Sequence, residues 1–484
     1  MCQEERGFKG EGKPALMSRV LSHLLRDIAS LTRYHEDASS RLCYFLGTRE
    51  AIRLMLGVRD AAENQFLVLN VPPKEKSMEK VMEKVIKEIE IQGYDYEIRK
   101  DLGDVIAVKT KDRKKEFEQE IERAKESGED ISEVINKFDP EHIKRKGIPT
   151  VVVRRKASIE ASMGASIVSG DIIQSGNIQA HQEVAIQNMY YDVVAHGIAE
   201  LSSEEIKRSP GRIAIRTLEG RYDVFTVHHQ KRYRNGLYSV TTLPRILGMN
   251  VLKFKKNKSA YILVIAQDNG EVAVELKKRA PEGSKVAIFI HNESHKKAVV
   301  ETIERLRLEP EEFKFIEDPI DKYAKSRPRK KFTHFFIEFP SSEIGRRPNP
   351  FVNLEEKNFV NFARYQFQAI RALTLIGENE AQIAYVSHSF DPSENEDILV
   401  QTFRQGYFSP LVLTDDLREA YPVRMNAIPE IPTISQGGSI DLNKMRAEES
   451  YSSCWLRVDP FKHGADAGFV AYFELLLKGG GRRR

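Results

Sequence analysis

SAYILVIAQDNGEVAVELKKRA (Ser259–Ala280) decides how the larger half of this chain is read. An apolar run of strand length is closed by polar turn residues and a glycine, and a stretch of helical spacing follows, which is one βα unit. The rhythm recurs downstream. SKVAIFIHNESHKKAVVETIERLRL (284–308) is a second strand, turn and helix, and EEFKFIED (311–318) and KKFTHFFIEFP (330–340) are further strands. A long helix, EKNFVNFARYQFQAIRALTLIG (356–377), precedes the strand AQIAYVSH (381–388) and the helix SENEDILVQTF (393–403). Strands alternating with helices predict a mostly parallel sheet covered on both faces. In such sheets ligands bind beyond the carboxyl ends of the strands, which here carry AQDNG, IHNES, EDP, EFPSS and SHSFDP.

Upstream the texture changes. Helical periodicity marks residues 15–62; after it the order strand, helix, strand, strand, helix through residue 138 predicts a small ferredoxin-like sheet. From IPTVVVRR (148–155) to about residue 220 come short strands with Gly and Ser turns, which predict a compact β-barrel. The expected division is a helical segment over 1–40, an α+β RNA-recognition domain over 41–150, a barrel over 151–220, a Rossmann-like domain over 221–478 and a basic tail over 479–484.

Of the 484 residues, 41% are hydrophobic and 30% charged, which describes a globular chain with ample core. No apolar run approaches the ~20 residues of a membrane span, and the first residues lack the apolar stretch of a secretion signal. Cys2, Cys43 and Cys454 are far apart and unpatterned, so neither a disulfide framework nor a zinc spacing is expected, and the reading is a reducing, cytoplasmic compartment. His228-His229 and the pair His291/His295 lack a third ligand at suitable spacing, so no metal is expected.

The net charge is only +4, but the cations cluster: KRKG (144–147), KRYR (231–234), KFKKNK (253–258), KSRPRKK (325–331) and a GGGRRR tail. Cations beside aromatic residues hold phosphates by charge and bases by stacking. The expected RNA contacts are Lys231, Arg232, Tyr233 and Arg234, then Arg327, Arg329, Lys330 and Lys331, then Arg346 and Arg347, with Arg482–Arg484 as a phosphate-seeking tail. No DNA and no membrane partner is expected.

The segments FTHFFIEFPSSEIGRRPNPF (332–351) and AQIAYVSHSFDPSENEDILVQTF (381–403), joined by a helix bearing Gln366, resemble the Sun-type RNA (cytosine-5) methyltransferases. Pro340, Ser342, Gly345, Arg346, Pro348, Tyr385, Ser389, Glu394, Asn395 and Glu396 keep that family's frame. GLYSVTTLPRILGMNVL (236–252) is similar to the segment leading into its catalytic domain, and GASIVSGD (164–171) and GIAELSSEEI (197–206) to the PUA module of one branch. The likeness spans roughly 40–478. It implies a class I methyltransferase-type domain, an S-adenosylmethionine cofactor and an RNA substrate.

The departures fall on the chemistry. The family adds a cysteine thiolate to the pyrimidine and uses a second cysteine in product release; here those positions hold Ser341 and His388, and no cysteine lies between Cys43 and Cys454. A hydroxyl is far less easily ionised than a thiol with its pKa of about 8.5. Glu338 stands for the family's aspartate. In the cofactor turn Gly270 survives, while Glu271 and Val272 replace a glycine and a lysine. Ile290 replaces the acid that takes the ribose hydroxyls, with Glu293 as the one nearby substitute. Gly270 and Asp318 remain as residual cofactor contacts. The expectation is an RNA-binding protein without catalysis or cofactor, acting on tRNA, rRNA or ribosomal particles. Its rivals are an active S-adenosylmethionine-dependent transferase with a non-cysteine mechanism and a structural assembly or dimerisation factor of ribosomal subunits.

Overall fold

The computed structural model describes residues 13–75, 77–127, 147–227, 230–349, 351–422 and 452–477. The basic tail, most of the KRKG cluster, the His228-His229 pair and the second half of the helix expected to end at 138 lie outside them.

The sheet domain follows the βα rhythm. Its strands are β1 (Tyr261–Ile265), β2 (Lys285–Phe289), β3 (Phe313–Ile316), β4 (Phe332–Ile337), β5 (Gly377–Ser387), β6 (Phe408–Pro410), β7 (Trp455–Val458) and β8 (Gly468–Leu475). Its main helices are α1 (Leu243–Val251), α2 (Glu271–Arg279), α3 (Glu293–Arg305), α4 (Ile320–Lys325), α5 (Glu356–Ala372) and α6 (Glu396–Arg404). The order across the sheet is β3-β2-β1-β4-β5-β8-β6, with β7 also paired to β8. Strands β1 to β5 are parallel, and β8 runs antiparallel to β5. Because both faces are covered, the strands read as continuous apolar runs. Leu263, Phe335 and Ile383 pack on one face, and Ile262, Phe336 and Ala384 on the other. The direction of progression reverses between β1 and β4, which places a topological switch point at their carboxyl ends.

The N-terminal sheet is completed from far along the chain. Gln65–Leu69 pairs antiparallel with Val105–Val108 on one side and with Tyr238–Thr241 on the other, and Tyr96–Ile98 closes the far edge. This is a ferredoxin-like order whose fourth strand follows the six-stranded unit, so the boundaries expected at 150 and 220 do not enclose it. The helix expected to close the sheet, Arg113–Ser127 in its described part, buries only Phe117 and Ala124. The period-2 alternation of strand side chains explains why the fourth strand is needed. Leu67 and Leu69 pack with Val81, Val85 and Ile89 of the helix Met78–Ile91, while Phe66 and Val68 join the core of the sheet domain with Leu243 and Leu247. One face of this small sheet is therefore covered by the large domain.

The inserted unit has the strand order Ile167–Val168, Ile213–Gly220, Val193–Ala199, Glu183–Gln187, Thr150–Val153, Ile172–Ser175 and its own apolar core. It also contains a helix, Arg155–Ser162, that the short-strand reading of this region did not include. Pairing of Lys111–Asp112 with Tyr222–Asp223 ties its entry to its exit. At the N-terminus a helix runs across the boundary expected at residue 40: Lys13–Thr32, Glu36–Leu46 and Thr48–Arg59 follow one another. Leu42, Met55 and Val58 of this unit are buried with Ile344, Val352, Phe359 and Phe390 of the sheet domain.

Candidate functional site

Beyond the carboxyl ends of β1 and β4 lies a knot of charge. Glu338, 2% exposed, directly follows β4. Its carboxylate accepts from Arg245 of α1 through Nε (2.8 Å) and Nη2 (3.0 Å) and from the Gln267 backbone N–H (3.1 Å). His388, 1% exposed, stands between two acids: Nε2 is 3.1 Å from Glu338 and Nδ1 3.3 Å from Asp466. Thr242 Oγ1 is 3.2 Å from the same Nε2. Arg346 reaches Asp466 at 3.2 Å and Glu338 at 3.6 Å. Burial alone raises a carboxyl pKa, but the charges of Arg245 and Arg346 and the contact with His388 hold Glu338 well below the usual carboxylate range. Asp466 is likewise depressed against its burial, by His388 and Arg346. Glu63, whose carboxylate faces the Asp466 N–H at 3.4 Å, is pushed well above that range by burial and by Asp466.

A second knot fixes the corner after β5. Glu394, fully buried, accepts from the Ser342 N–H (2.8 Å), the Ser389 hydroxyl (3.2 Å) and Gln366 Nε2 (3.4 Å). Gln366 also donates to the Pro340 carbonyl (2.9 Å), and Tyr385 donates to the carbonyl of Glu394 (2.7 Å). Burial, then Asp391, raises the Glu394 carboxyl to about 7. Arg41 of the N-terminal helices donates to Asp391 at 2.6 Å, so the corner is tied down from outside its own domain. Ser341 is partly exposed, and its hydroxyl accepts from the Glu343 N–H at 3.3 Å. The approach of the two corners is closest at Gly345, whose N–H donates to the His388 carbonyl (2.8 Å); a Cβ there would lie 2.0 Å from the Ala467 carbonyl oxygen.

The turn between β1 and α2 is where the resemblance would seat a cofactor. Gly270 has φ +99 and caps α2, a conformation that favours glycine. The backbone donors of the turn are already taken. Asp268 accepts from the N–H groups of Gly270 (3.1 Å) and Val272 (2.8 Å). His291 and His295 lie across the same turn, His291 Nε2 3.1 Å from the Ala266 carbonyl and His295 Nε2 2.8 Å from that of Asp268. Burial lowers the His295 pKa, in keeping with a neutral ring donating to a carbonyl. Ile290 is buried in the core, and Asp318 is exposed and paired to Lys322 at 2.6 Å. A carboxylate thus occupies the helix N-terminus, and an aliphatic side chain stands where the resemblance would place the acid for the ribose hydroxyls.

The expected RNA contacts separate into three groups. Lys231–Arg234 is a short helix whose ends are exposed, but the Arg305 guanidinium lies 3.9 Å above the ring of Tyr233, and Arg232 is 3.7 Å from Glu88. Tyr233 packs against the small sheet's core instead of standing free to stack on a base. Arg346 and Arg347 are turned inward. Arg347 donates to the carbonyls of Pro460 (2.8 Å) and Ala465 (3.1 Å), and its N–H to Asp466 (2.8 Å). Their adjacency in sequence showed charge but not the buried acid that consumes it. Arg327, Arg329 and Lys330 are exposed, but they lead into the start of β4, at the sheet edge opposite the knots; Lys331 donates to the Leu375 carbonyl. Sequence reading missed Arg245, Asp466, Asp268 and Arg41. Only Arg245 carried a local signal, as the residue after Pro244 in the segment leading into the sheet domain. Among the described residues no group of three or more His, Cys, Asp or Glu is placed to hold a metal, and no helix is long and apolar enough to cross a membrane.

Residues 149–220 match the family described as PUA domain. No curated protein matches the chain. Among solved structures, NSun6 from Pyrococcus horikoshii with SFG is similar at a TM-score of 0.68 and 16% identity, over 93% of this chain and 100% of that one. A methyltransferase homolog protein from the same organism is similar at a TM-score of 0.53 and 11% identity, over 94% of this chain and 100% of that one. At these identities the likeness establishes the fold: an α/β, Rossmann-like methyltransferase-type domain carried with a PUA domain.

Proposed function

We infer that this chain is an RNA-binding protein, a divergent relative of the Sun-type RNA (cytosine-5) methyltransferases that has lost methyl transfer. The observation that carries this reading is the placement of His388. At a position where the family keeps a reactive thiol, a ring 1% exposed is engaged by Glu338 and Asp466. A ring so buried, packed between two acids, has no face for a base. The cofactor turn supports the same reading, because Asp268, His291 and His295 hold the groups a cofactor would need. The PUA domain supplies the RNA-binding side, since structured RNA is recognised by shape and backbone contacts. The partner class is tRNA or rRNA, free or in ribosomal subunits, in the cytoplasm.

Calorimetric titration of the full chain with S-adenosylmethionine tests this. The expected result is no saturable heat, together with binding of a tRNA transcript that weakens steeply with salt. Micromolar cofactor binding, with methyl transfer to RNA that Ser341→Ala or His388→Ala abolishes, overturns the reading in favour of an unorthodox enzyme. Comigration with ribosomal subunits without affinity for free RNA overturns it in favour of an assembly factor.

A further inference from the structure

Two loops that are distant in sequence lie at the amino ends of neighbouring parallel strands, on the edge opposite the knots of charge. One precedes β1 and carries Lys253, Lys255, Lys256 and Lys258; the other precedes β4 and carries Arg327, Arg329, Lys330 and Lys331. The strands they lead into are neighbours, with Ile262 opposite His334. Between β1, β4 and the start of β5 lies a small cleft of about 90 Å³ lined by Lys253, Lys255, Lys258, His334 and Asn379, with Glu378 and Glu380 also in its lining.

We propose that this amino edge is a docking track for the phosphodiester backbone of RNA, separate from the PUA domain and from the carboxyl-end crevice. Three observations carry it. Among the described residues, Lys255, Lys256, Lys258, Arg327 and Arg329 have no ion-pair partner within 4.0 Å, whereas the arginines of the opposite edge are all engaged. The two loops carry eight cations and no acid, and the cleft beside the first adds Glu378 and Glu380, so the edge keeps its positive sign. Aromatic rings are interleaved with the charge: Lys330 Nζ lies 4.5 Å above Tyr261, and Phe254 packs on His334 at 4.8 Å. Together with the side-chain amide of Asn379 in the cleft wall, these cations offer donors for phosphate oxygens.

The proposal rests on the RNA reading above, and the test separates the two. The full chain and the variant Lys255→Ala/Lys258→Ala/Arg327→Ala/Arg329→Ala are titrated into a fluorescent tRNA transcript between 50 and 300 mM salt, as ~0.7–0.9 of the slope belongs to each phosphate neutralised. Circular dichroism confirms that the variant is folded. The expected result is an affinity loss of about tenfold or more near 150 mM and a log–log salt slope shallower by about 3. Unchanged affinity and slope in the variant, with the parent chain binding, overturn the track and leave the RNA reading standing. Failure of the parent chain to bind removes the RNA reading and the track with it. Poly-glutamate competing as well as unlabelled tRNA overturns the choice of RNA in favour of an acidic protein partner.

Discussion

The two ends of one parallel sheet treat charge in opposite ways. At the carboxyl end, Glu338, Asp466, Arg245 and His388 are buried and face one another, with the half-buried Arg346 against both acids. At the amino end, Lys255, Lys256, Lys258, Arg327 and Arg329 stand in solvent with no ion-pair partner among the described residues. Charges taken out of water and paired have nothing left to offer a ligand and resist the loss of any one member. Charges left in water contribute little to stability but remain available to a polyanion. On the reading proposed above, the carboxyl end serves structure and the amino end is the one open to a polyanion.

The comparison breaks most easily at Arg245. Arg245→Met leaves the Glu338 carboxylate buried without its bidentate partner, and urea denaturation is expected to show a loss of about 3–5 kcal/mol. Adding Glu338→Leu is expected to restore a good part of this, because the penalty lies in the orphaned charge; a double change as costly as the sum of the singles would show that the pair is not coupled.

The pH profile sharpens the contrast. The unfolded chain releases the Glu394 proton near 4.5, whereas the folded chain keeps it to about 7. Between those values the unfolded state holds fewer protons, so stability falls as pH rises, by about 1.4 kcal/mol per pH unit, and levels above 7. Glu271, raised to about 7 by burial and by Asp268, adds in the same direction. The depressed Glu338 and Asp466 work the other way: their contribution is present above the unfolded carboxylate range near 4 and is lost as pH falls through their folded values. Denaturation midpoints are therefore expected to peak near pH 5, and Glu394→Gln to flatten the decline toward pH 7.

Gly270→Ala is a smaller change at the carboxyl end. A side chain at φ +99, with its Cβ 3.0 Å from Val299 Cγ1, is expected to cost about 1–2 kcal/mol, read as a lowered melting midpoint. The smallest effect belongs to the amino end. Lys256→Ser or Lys258→Ser is expected to move stability by no more than about 0.5 kcal/mol. A loss beyond 1 kcal/mol would mean that these lysines are structural after all, and the two ends would no longer differ.

Much of the large domain was legible in the sequence because buried parallel strands are uninterrupted apolar runs, as in YILVI (Tyr261–Ile265) and FTHFFI (Phe332–Ile337). The strand that completes the small sheet was not. Tyr238–Thr241 is four residues long, and nothing local says that its partner is Phe66–Leu69. The candidate site was half legible. Ser341 and His388 stand where the resemblance expects thiols, a matter of composition. What replaced them needed geometry, because Asp466 comes from the loop before β8, Arg245 from α1 and Arg41 from the N-terminal helices. The pair Arg346-Arg347 shows the same limit, since sequence displays a charge without the acid that meets it across 119 residues.

The small sheet has a consequence for how the chain comes off the ribosome. Its first strand is translated long before Tyr238–Thr241, with the whole PUA domain made in between. Until then the backbone groups along one side of Gln65–Leu69 lack their strand, and an open edge of that kind invites pairing with another molecule. The nascent N-terminal portion must therefore wait, sheltered or unfolded, for a segment more than a hundred residues downstream, and any fragment cut off before residue 238 inherits the same unsatisfied edge.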